Sequence, residues 1–183
     1  MKKFLFPPIL FILILVDVEA QVSSFMKGYK VLSLNGGIST NLFSGSYYVG
    51  KVPPVSAAME FGIAGHILDE GVVGIGPYIG YSTFKYEYAG DGWDYTCWIP
   101  GIKGTFHYPF ADGFDTYAGM IAGYRYLQHK EIGDVEDKES YMKSKITGAW
   151  FVGARYYFLE TVAVMAEVGY GIAYVNAGIS FKF

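Results

Sequence analysis

Five charged residues stand in stretches where charge is otherwise scarce: Glu60 in VSAAMEFGIAG, Lys103 in IPGIKGTFH, Arg125 in AGMIAGYRY, Arg155 in AWFVGARYY and Glu167 in AVMAEVGY. Each has a Gly, Ala, Ser or Thr two positions away, so small groups share its face if these stretches are strands. Two carboxylates and three cations among small neighbours can do one of two things. They can pair and plug an interior, or they can line a gated polar path. Isolated charges in a low-dielectric interior cost several kcal/mol, so pairing is required either way. The expectation is a structural set of ion pairs, with Glu60 and Glu167 bonded to Lys103 and to Arg125 or Arg155.

Signals for catalysis are weak by comparison. A nucleophile needs a base within hydrogen-bond reach, and none of His66, His107 or His129 has an evident partner of that kind. Strand parity turns His66 and His107 inward near one end, where a turn or an ion pair accounts for them. The segment Lys130–Lys143 (KEIGDVEDKESYMK) is rich in acid, and Asp91 and Asp94 flank Gly92 and Trp93. Neither segment has the ligand spacing of a calcium loop, so each reads as a solvated loop. Trp93 and Tyr95 fall in the second loop, where a ligand-stacking role competes poorly with anchoring. No catalytic residue, metal site or cofactor is expected. Cys97 is the only cysteine, which excludes an internal disulfide.

The elements that hold these residues follow from a period of two. In Ala173–Phe183 (AYVNAGISFKF), Ala173, Val175, Ala177, Ile179, Phe181 and Phe183 alternate with Tyr174, Asn176, Gly178, Ser180 and Lys182. That gives one apolar and one polar face. The same alternation predicts seven earlier strands: Gly28–Gly36, Val55–Ile67, Val72–Tyr86, Thr96–Tyr108, Thr116–Gln128, Ser144–Phe158 and Thr161–Tyr170. Pro77 and Pro100 each remove a ladder donor and are expected to bulge or weaken their strands.

Residues 1–20 have the layout of a cleaved signal peptide. A cationic start at Lys2 and Lys3 precedes the apolar stretch Phe4–Val16, and Ala20 ends a small-residue cut site. Thirteen apolar residues broken by Pro7 and Pro8 are too few for a spanning helix, which needs ~20. Residues 21–183 then form one domain. The chain is 52% hydrophobic and 19% aromatic with 24 glycines, which is too apolar for disorder. Without a second long apolar run, that composition points to an all-β, eight-stranded antiparallel transmembrane barrel. A net charge of −3 without a basic stripe argues against nucleic acid as a partner.

Aromatic positions and connection lengths agree with the barrel. Tyr81, Trp98, Tyr124, Tyr126, Trp150, Tyr170 and Tyr174 fall towards one set of strand ends. Phe106, Tyr108, Phe110, Phe158, Phe181 and Phe183 fall towards the other, as two interfacial belts require. Leu68–Gly71, Pro109–Asp115 and Leu159–Glu160 are short connections; Asn35–Pro54, Glu87–Tyr95 and His129–Lys143 are longer. Short periplasmic turns and long external loops place both termini in the periplasm.

With its ending Ala166–Phe183 (AEVGYGIAYVNAGISFKF), the chain resembles the small OmpA/OmpX-like outer-membrane β-barrel family in the form common in Bacteroidota. The likeness is specific at this ending and loose over the rest of residues 21–183. It implies insertion by the outer-membrane assembly machinery, which reads a C-terminal signal here made of Tyr174, Ile179, Phe181 and Phe183. It also implies residence among outer-membrane lipid and lipopolysaccharide, and a structural or surface-interaction role without catalysis. A narrow passive pore for small solutes is the alternative, and a lipid-modifying enzyme ranks behind it. Two departures are expected to matter. No peptidoglycan-binding domain follows Phe183, so a wall-tethering role does not carry over, and the short last hairpin weakens the analogy to members whose tall loops form an adhesive sheet.

Overall fold

The computed structural model describes residues 25–38, 40, 42–43, 46–133 and 143–183. The expected signal peptide, residues 1–20, lies outside them, as does the middle of the acidic loop. Eight strands follow in chain order: β1 (Lys30–Ile38), β2 (Tyr48–Ile67), β3 (Gly71–Tyr88), β4 (Asp91–Ala111), β5 (Phe114–Ile132), β6 (Lys145–Leu159), β7 (Val162–Tyr170) and β8 (Val175–Lys182). Each pairs antiparallel with the next, and β8 pairs with β1, so the sheet closes on itself. The eight-stranded up-and-down barrel expected from the alternation is the fold.

Closure leaves no unpaired sheet edge through the body of the barrel. Face assignment also follows the period-two reading. On β4, Trp98, Ile102, Phe106 and Tyr108 point out, whereas Lys103, Thr105 and His107 point in. From Trp98 to Tyr108, ten steps of ~3.4 Å on a strand tilted ~45° rise roughly 24 Å, the height of the apolar band of a spanning barrel. Beyond Trp98 the outward residues turn polar, with Thr96 and Asp94 next on the strand.

β2, β4 and β5 run much further than alternation alone predicts, and β3 runs three residues further. β2 to β5 have 20, 18, 21 and 19 residues, while β1, β7 and β8 have 9, 9 and 8. The expected loop Glu87–Tyr95 is in fact strand on both sides of a tight turn, with Tyr88 paired to Asp91. Ala89 and Gly90 form that turn at φ 54° and 98°, a region that glycine enters without steric cost. The result is a four-stranded sheet standing above the rest of the barrel at the end away from the chain termini. A tall sheet is thus present although the short last hairpin weakened that analogy. The hairpin is short, but it belongs to a different part of the rim.

Trp93 and Tyr95 therefore do not lie in a loop. Both are buried on the inward face of this sheet in an aromatic cluster with Phe84, Tyr86 and Phe43. Ring centroids there are 5.0 Å apart for Phe84–Tyr95, 4.6 Å for Phe43–Phe84 and 5.8 Å for Tyr86–Trp93. The outward face is polar instead, with Lys51 bonded to Asp94 at 2.6 Å and Lys85 bonded to Glu87.

Three local expectations are corrected. Pro77 and Pro100 weaken pairing, as expected, but cause no register shift; the shifts lie in β2, between Gly50 and Val55 and between Gly62 and Ile67, with smaller ones in β4 between Pro109 and Ala111 and in β6 between Tyr157 and Leu159. Prolines 53 and 54 sit inside the first of these, where missing donors fall on the edge of the tall sheet. His66 follows the second shift, so parity fails there: it is exposed, at φ 57° beside the Leu68–Glu70 turn. The alternation of the last strand begins only at Val175. Ala173 is buried and Tyr174 is outward, because the β7–β8 connection bends before pairing resumes.

Candidate functional site in the barrel interior

Six inward-facing residues from five strands meet at one level of the lumen. Glu60 (β2), Lys103 and His107 (β4), Asp115 (β5), Arg155 (β6) and Glu167 (β7) are all buried, with Glu60, Asp115 and Arg155 at 0% exposure. Register explains the convergence. Asp115 is the direct cross-strand partner of Arg155, and His107 is that of Tyr117. Glu167 pairs with Gly153, where an added Cβ would meet the Tyr117 ring at 2.8 Å and Glu167 Cγ at 2.9 Å. That glycine leaves the space in which the tyrosine and the glutamate meet.

Glu60 is the hub. One oxygen, Oε2, is bonded to Arg155 Nη2 and lies 3.8 Å from Lys103 Nζ. The other accepts from Thr105 Oγ1 at 2.8 Å and faces His107 Nε2 at 3.3 Å. His107 Nδ1 meets both Asp115 oxygens at 3.0 Å. Lys103 donates to Glu167 Oε1 at 2.6 Å, and the Tyr117 hydroxyl donates to the same oxygen at 3.0 Å. Rings complete the surroundings of the cations. Lys103 Nζ lies 4.6 Å from the Phe151 centroid and the Arg155 guanidinium lies 4.6 Å from that of Tyr117, which is cation–π range. Three carboxylates and two cations, with a histidine bridging two of the carboxylates, fill the cross-section.

The segment before β1 caps this cluster from the end that holds both termini. Phe25 is buried, its ring 4.1 Å from that of His107, and it packs with Val31 and Val72. Main-chain bonds pin the segment: Gly28 N donates to Gly62 O at 2.8 Å and Gly62 N to Tyr29 O at 2.9 Å. Beside the cluster, Ser33 and Ser180 join β1 to β8 through their hydroxyls at 2.9 Å.

Four of the five charges picked out in the sequence thus come together: Glu60, Lys103, Arg155 and Glu167. Arg125 does not. It is inward-facing but lies well above the others, beside Lys145 and Thr147, and among the described residues no ion pair joins it to either glutamate. It sits five inward steps along β5 from Asp115, too far to share their level. The sequence reading missed Asp115, Tyr117 and Thr105 as members. The expected short connection Pro109–Asp115 puts Asp115 in a turn, whereas the alternation of β5 runs on through it and turns it inward with Tyr117. Phe25 carries no period-two signal, since it precedes the first strand. Among the described residues, no group of three or more His, Cys, Asp or Glu is arranged to hold a metal ion.

Of the residues expected to form a C-terminal signal, Ile179 and Phe183 are exposed on the outer surface and Phe181 is half-buried there. Tyr174 lies at the opposite end of the strand, edge-on to Tyr170 at 6.1 Å.

No protein-family model and no curated protein sequence matches the chain. Solved structures do. The outer membrane protein OprG from Pseudomonas aeruginosa is 12% identical with a TM-score of 0.53, covering 87% of this chain and 98% of that one. The N-terminal β-barrel domain of OprF from the same bacterium is 12% identical with a TM-score of 0.47, covering 86% and 98%. Ail, the attachment invasion locus protein of Yersinia pestis, solved with the heparin analogue sucrose octasulfate, is 11% identical with a TM-score of 0.48, covering 86% and 100%. At such identities the likeness is one of fold, and the chain has the fold of the small eight-stranded outer-membrane barrels.

Proposed function

We propose that this chain is an integral outer-membrane protein with a non-catalytic structural or surface-interaction role, its lumen a filled core instead of a conduit. One observation carries the reading. The Glu60–Arg155 and Lys103–Glu167 pairs cross the lumen at one level, with Phe25 closing the space beneath them. An eight-stranded barrel has an interior just wide enough for side chains to fill. Every formal charge at that level has an opposite charge in reach, so nothing in the cluster calls for a passing ion.

The apolar outer band of ~24 Å between two aromatic girdles supports residence in a membrane. The tall sheet, polar on its outer face, is the external end, and the short turns and both termini are periplasmic. Lipopolysaccharide then surrounds Trp98, Tyr126 and Trp150, and the outward Ile179 and Phe183 are where the assembly machinery would read the last strand. The ending Ala166–Phe183 favours the Bacteroidota form of the family. The sheet of β2 to β5 is the surface offered to partners outside the cell.

Single-channel recording in planar bilayers tests this. The wild-type barrel is expected to stay silent, and Glu60→Gln to lower the melting temperature without opening a current. A clear rise in ion flux in either protein would establish the narrow pore instead. Mass analysis of lipid A incubated with the folded protein is expected to show no change, and a modified lipid would establish an enzyme.

A further inference from the structure

Above the charge cluster, on the side of the tall sheet, Arg125 and Lys145 are direct cross-strand partners of β5 and β6. Residues so paired on one face have Cβ atoms ~4.5–5.5 Å apart, and like charges there repel. Both line a cavity of about 110 Å³, together with Tyr78, Thr147, Tyr170 and Ile172. No described residue of its lining is an Asp or Glu. The interior carboxylates that might have answered these cations are engaged lower down: Glu60 by Arg155, Asp115 by His107, Glu167 by Lys103. The Nε of Arg125 is buried and, among the described residues, has no hydrogen-bond partner. Two adjacent cations, an unmade buried donor and a space beside them form an arrangement that an anion relieves.

The donor chemistry narrows the choice. A guanidinium presents parallel N–H groups that match two oxygens of a tetrahedral oxyanion, and an ammonium adds a mobile point charge. Thr147 contributes a hydroxyl to the same wall. We infer that this cavity is a binding site for a phosphate or sulfate group, held by Arg125 and Lys145 at the mouth of the barrel. The rim is low here, since the β7–β8 connection spans only Gly171–Tyr174 between strands. The group can therefore come from a soluble anion or from a phosphorylated headgroup of the surrounding lipid. Only this question of source rests on the proposed outer-membrane setting; the site itself does not.

The test is calorimetric titration of the folded protein in zwitterionic micelles with inorganic phosphate and with sulfate, at ionic strength held constant with chloride. Saturable binding is expected, weakened roughly tenfold by Arg125→Gln and several-fold by Lys145→Gln, as loss of a charge-assisted bond implies. Lys85→Gln, on the outer face of the sheet, should leave it unchanged. Arg125→Lys, which keeps charge without the planar fork, should retain part of the affinity. A heat-shifted gel band verifies that each variant is folded. In nanodiscs of phosphorylated lipopolysaccharide, occlusion of soluble phosphate identifies the headgroup as the source; undiminished binding identifies a soluble anion. No saturable binding in micelles, or equal binding by wild type and Arg125→Gln, overturns the site while leaving the channel recordings unaffected.

Discussion

Lys103 on β4 and Glu167 on β7 meet across the lumen at 2.6 Å, although three strand boundaries separate them around the wall. Backbone pairing ties each strand only to its neighbours. This contact ties opposite walls, and it does so with both side chains almost fully removed from water. Removing one partner strands the other charge in a dry interior, which typically costs ~3–5 kcal/mol, whereas replacing both with apolar groups of similar size is often neutral. Lys103→Met alone and Glu167→Leu alone are therefore expected to destabilise by about that amount. The double variant should recover most of the loss. Urea unfolding in lipid vesicles, followed by the gel shift of the folded form, measures all three.

Phe25 offers a second test, because it is outside the sheet and yet buried against His107. Truncating a buried phenylalanine costs ~3–5 kcal/mol in a packed core. Phe25→Ala is expected to fall at the low end, about 3 kcal/mol, since the strand ladder remains intact around the gap. Hydrogen exchange should then quicken at the amides of Gly28 and Gly62, whose mutual anchoring depends on this segment staying seated. A variant with unchanged stability and exchange would show that the segment does not cap the cluster.

How far the sequence could be read depended on how long alternation persisted. Strand number, closure and the inward turn of Glu60, Lys103, Arg155 and Glu167 all follow from a strict period of two. Once a residue is assigned to a face, its neighbours two apart are assigned with it. The top of the tall sheet escaped because inward residues such as Trp93 and Tyr95 share their strand with charged outward ones, a mixture that resembles a polar loop. His66 escaped because a register shift in β2 reverses parity, and nothing short of the pairing itself reveals a shift. Arg125 was assigned the correct face and the wrong level. Period two fixes which way a side chain points; height in the lumen depends on register across several strands.

The outer surface can be probed by charge. Met120 is outward and exposed in the middle of the apolar band, paired across from Gly104. Gln128 lies on the same strand and face, above the aromatic belt at Tyr126. An arginine on the lipid face costs ~2–4 kcal/mol at the midplane and falls to ~0–1 near the interface. Met120→Arg is thus expected to destabilise by about 3 kcal/mol and Gln128→Arg by under about 1. Unfolding in bilayer vesicles measures both, and equal costs would mean that the belt at Tyr126 does not mark the membrane boundary.

The three tryptophans report on the same boundary from the side of the tall sheet. Trp98 and Trp150 are outward and exposed, Trp98 at belt height opposite Tyr126 and Trp150 lower, opposite Met120, and Trp98 packs against Tyr81 at 4.5 Å. Trp93 is buried on the inward face, five residues further up β4, against Tyr86. In single-tryptophan variants, bromine-labelled acyl chains are expected to quench Trp98 and Trp150 strongly and to similar extents, because both rings touch lipid. Trp93 should resist both brominated lipid and aqueous iodide, since one sheet face and the aromatic cluster enclose it. Strong quenching of Trp93 by lipid would put the tall sheet inside the bilayer, and strong quenching by iodide would show its aromatic core to be open. Either result would remove the physical basis for placing the sheet of β2 to β5 above the membrane with a closed aromatic core.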